Sequence, residues 1–200
     1  MSLPLAECSD RELAGLALSG QQTAYGELMR RHRDAVFRLA WGHVGSATEA
    51  LDVTQETFIA AFASLARYDR ARSFRIWISR IAINKCHDWA RRRAVRRFFT
   101  FARPIEEAVA VADGAMTPED DAQSQQEVAR IHEAIAALPG NLKDVLLLRT
   151  IEGLSQGEVA QTLGVSEKAV ETRLYRARKK LAEDLRDIGA DRVSERDSQS

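Results

Sequence analysis

Two hundred residues, 45 % apolar and 29 % charged, have an ordinary globular composition that suits one domain or two small ones. Nothing approaches a membrane span, "MSLPLAECSD" lacks the basic start and apolar core of a signal peptide, and Cys8 and Cys86 match no CxxC or metal-ligand spacing; the expectation is a soluble cytoplasmic chain without disulfide, metal or other cofactor. The zero net charge hides an uneven spread, with sixteen basic against ten acidic residues over 1–98, one against seven over 99–128 and twelve of each over 129–200, an asymmetry that concerns partners rather than fold.

Along the chain, apolar residues recur at spacings of three and four and nowhere alternate, which predicts helices and no strands. Tyr25, Leu28, Met29, Val36, Leu39 and Ala40 form one stripe; Leu51, Phe58, Ala61, Phe62 and Leu65 form a second; Phe74, Trp77, Ile78, Ile81 and the stem of Lys85 form a third. "GSATEA" and "RYDRARS" separate these helices. Between the stripes lie two polar arrangements. "DVTQETFIAAF" places Asp52, Gln55, Glu56 and Ile59 on one side of a helix, three polar groups around an exposed aliphatic, which suits protein docking or an ordinary solvated face. On the following helix Arg80, Asn84, His87 and Arg91 share a side, with Phe74 and Trp77 near its start and "RRRAVRR" at its end. An amide among cations can hydrogen-bond an exposed base and an aromatic can stack on one; the competing reading is a buried aromatic pair with arginines reaching outwards.

Composition then changes. "IEEAVAVADGAMTPEDDAQSQQ" is acidic, rich in small residues and without a stripe, so 99–125 reads as a flexible linker. Periodicity resumes with Val128, Ile131, Ile135 and Leu138 and stops at Pro139-Gly140. In "LSQGEVAQTLGVSEKAVETRLYRARKKL" Ser155 and Glu158 form a capping box, Val159, Ala160 and Leu163 point inwards, Gly164 makes the turn, Val165 plugs the junction and Ser166 caps the next helix. Val170, Leu174, Ala177 and Leu181 line that helix's inner face, while Lys168, Thr172, Arg176 and Lys179, flanked by Arg173 and Lys180, lie opposite. This is the layout of a helix-turn-helix whose second helix suits the major groove, its first turns reaching bases and its later cations holding phosphates. The reading is all-α: a helical domain over 1–98, the linker, a helix-turn-helix domain over 126–185, and a disordered tail over 186–200.

Catalysis finds no support. His32, His43, His87 and His132 are scattered, and no HExxH, Walker loop or GxSxG occurs.

Taken in order, "AYGELMRRHRDAVFRLA", "DVTQETFIAAF", "RSFRIWISRIAINKCHDWARRR" and "LPGNLKDVLLLRTIEGLSQGEVAQTLGVSEKAVETRLYRAR" resemble the extracytoplasmic-function (ECF, group IV) sigma factors of bacterial RNA polymerase, over residues 21–98 and 126–185. The resemblance implies a region 2 type domain, a region 4 type domain and a linker that runs through polymerase channels. It implies core RNA polymerase (the β′ clamp helices and the β subunit), promoter DNA and an anti-sigma factor as partners. Asp52, Gln55, Glu56 and Ile59 would grip the β′ clamp. Phe74 and Trp77 would take part in melting; Asn84, with Arg80, Asp88 and Arg91, would read the −10 element; the loop "LARYDRARS", with Tyr68 and Arg72, would capture a flipped base. Lys168, Thr172, Arg173, Arg176 and Lys179 would face the −35 element. Two positions depart from the family's usual pattern: Val53-Thr54 stands where Leu-Val is common, and Glu171 where Lys or Arg is common. A carboxylate there can accept from cytosine's amino group but repels phosphate. The rival reading, a stand-alone helix-turn-helix regulator, leaves the Asn84 and Trp77 cluster unexplained. A neutral chain is also expected to bind free promoter DNA weakly, because phosphate neutralisation supplies much of such affinity.

Overall fold

A computed structural model describes residues 4–100, 128 and 130–197. Every regular element among the described residues is helical, as the stripes predict: α1 (Asp10–Leu18), α2 (Gln22–Val44), α3 (Ala47–Ala63), a 3-10 turn (Leu65–Arg67), α4 (Phe74–Thr100), helical residues 130–137 (α5), α6 (Gly140–Thr150), α7 (Gln156–Leu163) and α8 (Glu167–Asp197).

In the front half α2, α3 and α4 pack against one another and α1 lies against α2. Ser9 opens α1 with a capping box to Glu12, which leaves Leu13, Ala14 and Ala17 facing inwards. The chain before α1 is held by Arg31, whose guanidinium donates to the carbonyls of Leu5, Ala6 and Cys8 and pairs with Asp10 and Glu27. Ser46 caps α3, and the buried hydroxyls of Thr54 and Thr57 donate to the carbonyls one turn back at 2.7 Å, so neither is left unpaired. Thr54 thus sits in the core.

In the second half α6 and α7 pack on α8. The expected capping box at Ser155 is present, Glu158 Oε2 accepting from the Ser155 amide at 2.7 Å and Ser155 Oγ from the Glu158 amide at 3.3 Å. Gly164 turns the chain at φ +67°, a conformation that side chains with a Cβ disfavour. Val170 and Ala177 are buried, and Leu174 and Leu181 half-buried, so the inner stripe of α8 is as read. The helix then continues to Asp197, past the boundary at 185 expected from sequence. Ion pairs one turn apart, Lys179–Glu183 and Lys180–Asp184, support the turns that lead up to that point, and Arg186 donates to the Ala182 carbonyl across it. The expected linker over 99–125 lies, beyond α4's last turn, outside the described residues.

The two halves are not held apart. One apolar core runs from Leu28, Leu39 and Phe74 to Leu147, Leu148, Leu154 and Val159. Gly42, within α2, is where α6 comes closest: a Cβ there would lie 2.7 Å from Leu147 Cδ2. A mid-helix glycine costs about 1 kcal/mol relative to alanine, and this close approach is its structural counterpart. Trp41 stacks on His132 of α5 with ring centroids 4.2 Å apart.

Candidate nucleic-acid and polymerase interfaces

The recognition helix follows from local chemistry. Its inner stripe fixes α8 against α6 and α7, and that docking leaves Lys168, Thr172, Arg176 and Lys179 exposed on the other side, with Arg173 half-buried at the flank. The Gln156 amide donates to the Glu167 carbonyl at 3.0 Å and ties the two helices of the motif. Lys168 pairs with Glu171 at 2.9 Å, so the acid sits within the basic face and orients its first cation. Glu158 is held below the usual carboxylate range, chiefly by the Ser155 amide and then by its hydroxyl, which keeps the cap charged. Tyr175, passed over in the sequence reading, is 69 % exposed beside Arg176.

On α4 the outcome is divided. Asn84 and Arg91 are exposed, and Asp88, half-buried, accepts from Arg91. Arg80 is directed at the second half, donating to the Thr162 carbonyl of α7 at 3.3 Å. His87 faces the second half too, its Nε2 2.9 Å from Asp144 Oδ1 of α6. Arg72 is exposed in the loop. Two of the aromatics are enclosed, in line with the competing reading of a buried aromatic pair. Phe74 is 2 % exposed and Tyr68 6 % exposed. Tyr68 donates its hydroxyl to the Arg72 carbonyl at 2.6 Å and packs edge-on against Phe74. Neither ring is available to a base in this arrangement; the core claims them because α1, α2 and the loop close over the start of α4. Trp77 is half-buried and lines a cleft of about 270 Å³ with Arg72, Arg80, Gln161 and Thr162.

On α3, Asp52, Gln55 and Ile59 are exposed, Ile59 by 69 %. Glu56 is half-buried and bridged from α4 by Arg92 at 3.1 Å and Lys85 at 3.7 Å, so it is held in place before any partner arrives. Leu51, assigned to the core stripe from spacing alone, is 53 % exposed and continues the Gln55–Ile59 ridge by one turn. Nothing in the spacing distinguishes a leucine at the edge of a stripe from one inside it.

Cys86 is buried, and burial pushes its thiol well above the ordinary range, so it behaves as a small core residue. Among the described residues no group of three or more His, Cys, Asp or Glu could hold a metal ion, and no helix is long and apolar enough to cross a membrane.

Comparison with known proteins follows the same division of the chain. Residues 28–96 match the family model for sigma-70 region 2, and residues 128–181 match that for sigma-70 region 4. The RNA polymerase sigma factor CnrH of Cupriavidus metallidurans is 40 % identical over 179 residues, covering 88 % of this chain and 94 % of that protein. The ECF RNA polymerase sigma factor SigW of Bacillus subtilis is 30 % identical over 174 residues, 84 % of this chain and 92 % of that one. The chain belongs to the ECF sigma factors of bacterial RNA polymerase.

This ECF sigma factor therefore binds core RNA polymerase and directs promoter-specific initiation of transcription. A solved structure of CnrH in complex with the cytosolic domain of CnrY is similar at a TM-score of 0.65 and 35 % identity, covering 89 % of this chain and 97 % of that one. The sigma factor RpoE of Bartonella quintana, solved with the anti-sigma factor NepR, shares the fold at a TM-score of 0.63 and 20 % identity. The rival reading as a free-standing regulator finds no support in these relatives.

Proposed function

We propose that this sigma factor divides promoter reading between its halves. The exposed Lys168, Thr172, Arg176 and Lys179 of α8, with Arg173 beside them, hold duplex DNA of the −35 type. The α4 row of Arg80, Asn84, Asp88 and Arg91, with Trp77 and Arg72 at its head, reads the −10 type element as it melts. The α3 ridge of Asp52, Gln55, Glu56 and Ile59 docks on the β′ clamp. The observation that carries this reading is the α8 face: its cations and hydroxyl stand exposed because the opposite stripe is buried, as major-groove insertion requires. Unstacking bases costs a few kcal/mol per step, and contacts to the extruded bases offset it, which suits an exposed amide such as Asn84 better than the buried Phe74 and Tyr68.

The finer placements belong to the same reading: group IV, the cytoplasm as compartment, the β subunit as a second polymerase contact, and no catalysis by the chain itself. The anti-sigma partner is inferred from CnrH, which was solved bound to the cytosolic domain of CnrY. Transcription in vitro with sigma-free core polymerase and DNA from the protein's own upstream region tests the reading. Transcripts from a defined start should appear only when the protein is added, and Asn84→Ala and Arg176→Ala should each weaken them. Undiminished transcription by both variants would overturn the residue assignments.

A further inference from the structure

The seam between the two halves holds a cavity of about 390 Å³, where α2 and α4 meet α5 and α6. That volume lies within the range of small-molecule sites. Part of the wall is apolar, from Val44, Ala90, Ala94, Ala136 and Leu138, and no Asp or Glu lines it. Its charged and polar lining is of the opposite kind. Lys143, 8 % exposed, donates to the carbonyls of His43 at 3.3 Å and Ala136 at 2.6 Å. An ammonium has three donors, so one is left over. Among the described residues no carboxylate pairs with it; Asp144, which supports its charge, turns Oδ1 to His87. Burial accordingly holds the Lys143 pKa below its ordinary value, as for a cation whose counter-charge is incomplete.

Three further features of the lining point the same way. His43, 7 % exposed, has its Nε2 in no hydrogen bond, and the buried indole N–H of Trp89 has no acceptor. The α6 helix opens at Gly140 on the cavity wall, with no capping side chain and no acid in its first turn, an arrangement that favours an anion. Arg93 and Arg97 of α4, both exposed, complete the lining. Arg93 pairs with Glu49 at 3.2 Å and lies over the Trp89 ring. A phosphate monoester carries nearly two negative charges at neutral pH and three acceptor oxygens, which matches several cations and a helix N-terminus better than one carboxylate does.

We propose that this cavity binds a small phosphorylated molecule, its phosphate held by Lys143, Arg97 and the first turn of α6, its remainder lying against Trp89, Ala90 and Ala94. None of the lining residues is among those assigned to promoter or polymerase, so the site is additional to that reading and independent of it. Because both halves supply its walls, the ligand binds the packed chain and stabilises it.

Calorimetric titration of the full chain, without polymerase, tests the site with two probes, inorganic phosphate and AMP; thermal melting reads the stabilisation. One equivalent of AMP should bind, more tightly than inorganic phosphate, and raise the melting temperature as its concentration rises. Arg97→Glu and Ala94→Glu, both at exposed positions, set a carboxylate against the phosphate and should each weaken binding about tenfold or more. Circular dichroism checks that helix content is kept. Arg33→Glu, an exposed position of α2 outside the lining, should bind as wild type does. No saturable binding of either probe up to millimolar concentration overturns the site. Binding that survives both cavity variants also overturns it, and its loss in Arg176→Glu would place the phosphate on the α8 face. An equal loss in Arg33→Glu shows attraction to net charge alone and overturns it too. Inorganic phosphate bound as tightly as AMP overturns the role given to the apolar wall.

Discussion

The two DNA-facing helices differ in what holds their polar faces. On α8 the cations pair, where they pair, with acids one turn away on the same helix, as Lys168 does with Glu171 and Lys179 with Glu183. On α4 several polar groups are engaged from other elements, Arg80 by α7, His87 by α6, and Arg92 and Lys85 by Glu56 of α3, while Arg91 pairs with Asp88 on its own helix and Asn84 stands exposed. A face built from its own helix is ready for a ligand. A face engaged from elsewhere must exchange one set of partners for another, and its availability depends on how the whole chain is arranged.

The largest expected effect separates fold from recognition. Phe74→Ala removes a side chain from the joint core and should cost about 3–5 kcal/mol in urea unfolding. A loss below about 1 kcal/mol, together with failed promoter opening, would restore Phe74 as a base-contacting ring and sink its assignment to the core. Arg176→Ala should do the reverse. Its exposed guanidinium contributes little to folding, so stability should stay within about 0.5 kcal/mol. Promoter affinity of the holoenzyme, measured by filter binding, should fall by about 1–3 kcal/mol. If stability falls as much as affinity, α8 does not carry a face independent of its packing.

How much could be read in advance follows the same line. Caps, turns and stripes are local, so Ser155, Glu158, Gly164 and the Val170–Leu181 stripe were legible, and with them the placement of Lys168, Thr172, Arg176 and Lys179. The helices of the front half were legible for the same reason. The burial of Tyr68 and Phe74 was not, because an aromatic at the start of a basic helix has the same spacing whether it stacks on a base or on another ring. Leu51 shows the converse: a leucine in a core stripe that faces outwards. The seam was least legible of all. Asp144 and His87 are 57 positions apart, and nothing near either announces the other. Gly42 carried a faint signal, a glycine within an otherwise continuous helical pattern, which is destabilising unless something approaches closely.

A smaller effect tests whether the helix-turn-helix is as locally determined as this comparison holds. Ser155→Ala removes one side of the capping box and should cost about 1 kcal/mol. Glu158, whose carboxylate owes its lowered pKa first to the Ser155 amide, should titrate at much the same pH in the variant, because that amide remains. A return of Glu158 to the ordinary range, followed by NMR, would show that the hydroxyl rather than the amide sets the cap.

The smallest effect is the alkaline limb of a two-sided pH dependence set where the two halves meet. His43 of α2 is fully enclosed; burial, then the charges of Lys143 and His87, lower its pKa to about 3. It must charge on unfolding, so the stability it permits is present above the ordinary histidine value of about 6.5 and is lost as pH falls below it towards 3. His87 of α4 faces Asp144 and Lys143 of α6, His43 of α2, and Asp88 and Arg91 of its own helix. Its hydrogen bond to Asp144 raises its pKa against the cost of burial. The stability from that pair is complete below about 6.5 and disappears as pH rises through the raised value. Stability should therefore peak near pH 6.5 and decline on both sides, more gently on the alkaline one because the His87 side chain is 39 % exposed and its pairing is screened. Thermal melts of wild type and His87→Gln between pH 5 and 9 read this directly. The variant should lose the alkaline decline and keep the acid one; an unchanged alkaline limb would mean that His87 and Asp144 do not hold the two halves together in solution.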